Sequence, residues 1–171
     1  MKVTWLPFEL HPEAPVEGIP RDVFFGRERA GRMDDYMQSV ARSVGLTMKR
    51  RDVIINSRRA LAAAEFARDK GKFDEMHRTL LKAHWEGTGR LEDVDDLVRI
   101  GEEVGLDADG LRTAIEDGRY EATIDEYRAD AEGAGINAIP AHIFGRRYLV
   151  MGAQPYDVFK QVLDRLRDGQ S

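Results

Sequence analysis

From Asp22 to about Gly133 the apolar side chains recur at steps of three and four residues, and at Gly133-Ala134-Gly135 that period stops. Beyond this point the pattern is strand-like: Ile136-Asn137-Ala138-Ile139-Pro140, then His142-Ile143-Phe144, then Arg147-Tyr148-Leu149-Val150-Met151. A change of period at one point restricts the chain to architectures that join a long helical block to a short sheet element. Gly145-Arg146 provides a tight connection, so the two runs read as a β-hairpin. Gly152-Ala153-Gln154 is a turn, and Pro155 stands near the first position of a final helix, where its missing N–H costs nothing. Tyr156, Phe159, Val162, Leu163 and Leu166 form the apolar face of that helix.

Within the helical block the punctuation is clear. Met33, Tyr36, Met37, Val40, Ala41 and Val44 predict one helix that stops at Gly45. Val53-Ile54-Ile55 is a short extended piece. Asn56 or Ser57 caps a helix over 58–70, ended by Gly71 and rich in alanine (Ala60, Ala62, Ala63, Ala64, Ala67), which suits close packing. Further helices are predicted over 73–85, 92–104, 108–117 (capped by Asp107) and 120–132. Ahead of the block, Lys2 to Leu10 carries apolar groups on both faces and reads as a strand buried on both sides of a parallel or mixed sheet. His11 to Pro20, with Pro12, Pro15, Gly18 and Pro20, reads as an irregular loop.

Composition narrows the function. The 171 residues carry a net charge of −5 with acids and bases interleaved, so nothing draws the chain as a whole to nucleic acid. No run of about 18 apolar residues exists, which gives no membrane span. The first residues lack the apolar core and cleavage site of a secretory signal, so a cytoplasmic setting is expected. There is no cysteine, which excludes disulfides, thiolate catalysis and Cys-based zinc sites from these residues.

Other polar constellations have ordinary readings. His77 and His84 lie two helical turns apart, roughly 10 Å, too far for one metal site. His84 and Trp85 are expected to close the helix packing. Lys49-Arg50-Arg51 with Arg58-Arg59 could bind an anion such as phosphate or the carboxylates of glutathione, but a solvated patch with nearby acidic partners is favoured. Arg146-Arg147 keeps a turn soluble. Glu92-Asp93-Val94-Asp95-Asp96 suits the first turn of a helix and lacks the order of a calcium loop. No metal site and no cofactor are expected.

The order strand, helical block, hairpin, helix, together with three stretches, resembles the DsbA-like thioredoxin-fold oxidoreductases of the FrnE type, relatives of the 2-hydroxychromene-2-carboxylate isomerases. The stretches are Val3-Thr4-Trp5-Leu6-Pro7-Phe8-Glu9-Leu10 followed by Pro12, Gly135 to Phe144, and Gly152-Ala153-Gln154-Pro155. Asn56-Ser57 and the alanine-rich helix also fit. The resemblance implies an α/β thioredoxin-like (DsbA-like) fold with a large helical insertion, truncated at its N-terminus. The core would be residues 1–21 and 119–171, incomplete, and the inserted helical subdomain residues 22–118. It also implies a cis-proline loop, Ile139-Pro140, whose backbone holds an extended thiol substrate. His142 beside it either lines the groove or is a surface histidine.

Family members open with a strand and a Cys-x-x-Cys at the N-terminus of the first helix, where free N–H groups and the helix dipole stabilise a thiolate. This sequence has no counterpart of that unit, so no catalytic residue is carried over. The resemblance thus implies a protein disulfide oxidoreductase scaffold that is redox-inactive in the absence of cysteine. The alternatives are a non-catalytic scaffold or binding protein of the same fold, and a glutathione-dependent isomerase or transferase. A sheet without its central strand leaves unpaired backbone groups costing about 1–3 kcal/mol each. The expected remedies are a shift of the Val3 strand, upstream sequence, or a second copy. A homodimer is expected, with a thiol peptide or protein as substrate and with neither nucleic acid nor membrane as partner.

Overall fold

The computed structural model describes residues 2–169 and divides into two compact units, one ending at Asp125 and one beginning at Glu126. The first unit is helical. After an extended N-terminal segment it contains β1 (Ile19–Pro20), α1 (Arg21–Phe25), α2 (Arg27–Ser43), β2 (Val53–Ile54), α3 (Arg58–Asp69), α4 (Phe73–Glu86), α5 (Val94–Glu103) and α6 (Ala108–Glu116). Helix α7 (Glu121–Gly133) begins in this unit and ends in the second. The second unit adds β3 (Ala141–Phe144), β4 (Tyr148–Met151) and α8 (Tyr156–Asp168).

The core of the first unit is built around α3, which packs on α4, α5 and α6. Alanine makes this possible: Ala63 and Ala67 are wholly buried, and side chains of one carbon let helix axes approach closely. Met76, Leu97, Ile100, Leu111 and Ile124 fill the remaining space. The helix ends follow the sequence. Asp93 accepts the Asp96 N–H (3.1 Å) at the start of α5, and Asp107 accepts the Gly110 N–H (2.7 Å) at the start of α6. Gly71, Gly87 and Gly105, all at positive φ, follow the ends of α3, α4 and α5.

Three expectations change. First, Lys2 to Leu10 forms no strand. Val3, Trp5 and Leu6 are exposed, whereas Pro7 and the acidic Glu9 are buried. Side chains, not a backbone ladder, hold the segment: Trp5 meets the His77 ring at 4.8 Å, and Arg68 donates to the Trp5 carbonyl at 2.7 Å. Second, there is no mixed sheet among the described residues. Two separate two-stranded antiparallel sheets occur instead, β1–β2 and β3–β4. Strand β1 lies inside the proline-rich stretch read as irregular, and its register pairs Ile19 with Ile54 and Pro20 with Val53.

Third, the helix predicted up to Gly45 forms as α2, but most of the apolar stripe that predicted it faces outward. Tyr36, Met37, Val40 and Val44 are exposed, while Ala30, Asp34 and Ala41 are buried. The buried acid explains the rotation. Asp34 is held by Arg21 (2.6 Å) and Arg50 (3.1 Å), partners that come from α1 and from the loop before β2. No helix among the described residues is long and apolar enough to cross a membrane.

Candidate functional site: the cis-proline hairpin

Helix α7 closes through Gly135 (φ 74°), with the Gly135 N–H on the Glu132 carbonyl (2.9 Å) and the Ile136 N–H on that of Ala131 (2.8 Å). Ile136 is buried just beyond this turn. The chain then emerges as Ile139-Pro140, joined by a cis peptide bond. The Gly152 N–H donates to the Pro140 carbonyl (2.7 Å), which ties the open end of the hairpin, and Gln154 Nε2 donates to the Met151 carbonyl (2.9 Å). The register is Ala141↔Met151, His142↔Val150, Ile143↔Leu149 and Phe144↔Tyr148.

At the far end Gly145 and Arg146 both take positive φ, the conformation that hairpin turns of the primed kind require. Gly145 is also needed for space, because a Cβ there would lie 2.8 Å from Leu166 Cδ2 of α8.

Strand alternation gives the hairpin two unlike faces. His142, Phe144, Tyr148 and Val150 share one, where Phe159 of α8 meets the rings of His142 (4.9 Å, edge-on) and Phe144 (6.1 Å). Ala141, Ile143, Leu149 and Met151 share the other, and Ile143 is 55% exposed, with Leu149 and Met151 also open to solvent. Ile139, two residues before the strand begins, is 51% exposed. No backbone hydrogen bond to the Ile139 N–H or carbonyl occurs among the described residues. The arrangement can hold an extended chain by its backbone and apolar side chains. It offers no thiolate, since the sequence contains no cysteine.

Of the residues singled out in the sequence, Ile139, Pro140 and His142 therefore fall on one short loop-and-strand segment. His142 faces α8 and not the exposed apolar side, and its Nδ1 is buried with no hydrogen-bond partner. An orphaned ring nitrogen costs stability. His142→Phe, which keeps the ring and its contact with Phe159, is expected to stabilise the protein by about 1 kcal/mol, read as a raised urea midpoint.

The remaining candidates are dispersed. His77 packs between Trp5 (4.8 Å) and Phe73 (5.4 Å, stacked), and burial lowers its pKa. Burial, then the Arg51 guanidinium, brings His84 down to about 4. No group of three or more His, Cys, Asp or Glu that could hold a metal ion occurs among the described residues. The basic cluster is not one site. Arg50 pairs with Asp34 and Asp52, Arg51 donates to the His84 carbonyl, Arg58 binds Glu9 and Asp125, and Arg59 donates to the Glu92 carbonyl.

Sequence reasoning missed the buried acids Glu9 and Glu65. Glu65–Arg68 carried a usable signal in its three-residue helical spacing. Glu9–Arg58, 49 residues apart, carried none.

The comparisons agree with this architecture. Uncharacterized protein YwbO of Bacillus subtilis (strain 168) is 26% identical over 166 residues, covering 95% of this chain and 81% of YwbO. The crystal structure of the probable DsbA oxidoreductase SCO1869 from Streptomyces coelicolor superposes with a TM-score of 0.82 at 23% identity. That likeness covers 92% of this chain and 72% of SCO1869, and it is one of fold. Residues 1–164 match the DSBA-like thioredoxin domain, so the helical block, the cis-proline hairpin and α8 are parts of one known scaffold, and the chain belongs to the DSBA-like thioredoxin family.

Proposed function

We propose that these residues form the substrate-holding part of a DsbA-like disulfide oxidoreductase scaffold and bind an extended thiol peptide without turning it over. The observation that carries this reading is the Ile139-Pro140 segment: the exposed Ile139 with unused backbone groups, and the apolar strip of Ile143, Leu149 and Met151 beside it. A peptide in β conformation would add its backbone to such an edge and lay alternate side chains on the strip. FrnE-type membership and residues 1–21 with 119–171 as the thioredoxin-like core belong to the same reading. Chemistry requires a thiolate, and these 171 residues have none.

A homodimer that covers the exposed apolar groups of the N-terminal segment, Val3, Trp5 and Leu6, is the second element of the proposal. Light scattering at micromolar concentration should give twice the chain mass, and a folded monomer would remove this element.

The direct test has two arms. Insulin reduction with dithiothreitol should proceed no faster with the protein than without it. Fluorescence anisotropy with a labelled, extended cysteine-containing peptide should show saturable binding that Ile139→Glu weakens about tenfold or more, since a charge would then face the apolar strip. Insulin turnover by the purified chain would defeat the non-catalytic part, and peptide binding indifferent to Ile139→Glu would defeat the placement.

A further inference from the structure

We propose a second binding site, in the helical unit, for a small zwitterion: a free amino acid or short peptide with an apolar side chain and both charged ends. A cleft of about 380 Å³ opens where the first turn of α3 meets the start of α5 and the α6–α7 connection, at the small end of the range for ligand pockets. Its apolar lining is Val16, Ala62, Val94 and Ile115.

The charges around this lining are unequal in their commitments. Arg58 is occupied by Glu9 (3.0 Å) and Asp125, and Glu116 lies 3.7 Å from Arg112. Arg59 and Glu121 line the same cleft and have no ion-pair partner among the described residues. Arg59 uses one N–H on the Glu92 carbonyl (3.0 Å) and keeps the rest of its fork. Glu121 lies over Gly118, where φ is +68° and a Cβ would stand 3.0 Å from its carboxyl carbon.

The two opposite charges share a cleft yet do not pair with each other. A ligand carrying a carboxylate and an ammonium satisfies both at once, with the carboxylate on the planar guanidinium and the ammonium on Glu121. The apolar lining of the same cleft, Val16, Ala62, Val94 and Ile115, selects an aliphatic side chain. A purely anionic or cationic ligand would leave one of the two facing a like charge or nothing. The site uses no residue of the cis-proline hairpin and does not depend on the function proposed for it.

Calorimetry with glycyl-leucine, N-acetyl-glycyl-leucine and glycyl-leucine amide tests the site. Glycyl-leucine should bind saturably, and each blocked form should bind about tenfold more weakly or not at all. Arg59→Gln should erase the preference for a free carboxylate, and Glu121→Gln the preference for a free amine. Both side chains are exposed, so circular dichroism melts of the variants should match the parent. No heat with glycyl-leucine at millimolar concentration would overturn the proposal, as would equal binding of all three compounds. Because that comparison is made on the unaltered protein, a variant that unfolds does not decide the outcome.

Discussion

Arg68→Met is expected to lower stability by about 3 kcal/mol, one of the two largest effects we anticipate. Glu65 is only 4% exposed, and its carboxylate is met by Arg68 through two bonds, Nε to Oε2 (2.9 Å) and Nη2 to Oε1 (3.1 Å). The same guanidinium donates to the Trp5 carbonyl and lies 3.8 Å from the centroid of the Phe73 ring. Phe73 stacks on His77, and His77 meets Trp5. One cation thus joins α3, α4 and the N-terminal segment. Methionine preserves much of the packing of the stem but leaves a carboxylate buried without its counter-charge.

The expected readout is a lower urea midpoint at unchanged slope, with residues 2–10 becoming sensitive to limited proteolysis. Adding Glu65→Met to Arg68→Met should recover most of the loss, since removing both members leaves no orphan charge. A single variant within about 0.5 kcal/mol of the parent would show that Glu65 is effectively solvated and that the N-terminal segment has another anchor.

That cluster also marks the limit of what the sequence makes legible. Helices α3 to α6 were legible because their signals are local: the three- and four-residue apolar period, with Asn56, Gly71 and Asp107 at the right offsets. The hairpin was legible because alternation and a Gly-Arg turn lie within eleven residues. The N-terminal segment failed for the opposite reason. Alternating apolar residues describe what a strand can be, but pairing depends on a neighbour, and here an arginine 63 residues away takes the Trp5 carbonyl instead. Helix α2 formed as its period predicts, but its buried face was missed for the same reason. Its apolar stripe predicted the buried face, yet the face is set by Asp34 and its partners Arg21 and Arg50, which no periodicity reveals. In the candidate site, the exposure of Ile139 and Ile143 could not be read from sequence, where both look like core residues.

Acid should weaken the fold through His84. An ordinary histidine titrates near 6.5, which stands for the unfolded chain, whereas burial and then the nearby Arg51 guanidinium bring His84 to about 4. Its Nδ1 is buried without a hydrogen-bond partner, and Trp85 covers the ring edge-on at 4.7 Å. Between pH 6.5 and 4 the unfolded chain therefore binds a proton that the folded chain refuses. Stability from this residue is complete above 6.5, falls as pH drops through the window, and levels off below 4. Allowing for solvent screening of a partly buried ring, the loss is about 2 kcal/mol.

The physical consequence is local. Arg51 donates to the His84 carbonyl (3.2 Å), and the Lys49 N–H to that of Trp85 (2.7 Å), so the loop before β2 is seated on the end of α4. An imidazolium there would stand against Arg51. Burial also depresses His77, which adds to the wild-type curve with the same sign, so the clean measurement is a difference. Urea unfolding of the parent and of His84→Leu at a series of pH values should give a difference that is constant above pH 6.5 and moves by about 2 kcal/mol against the parent between pH 6.5 and 4. Parallel curves across the whole range would mean that His84 charges as readily in the folded protein as in the unfolded chain.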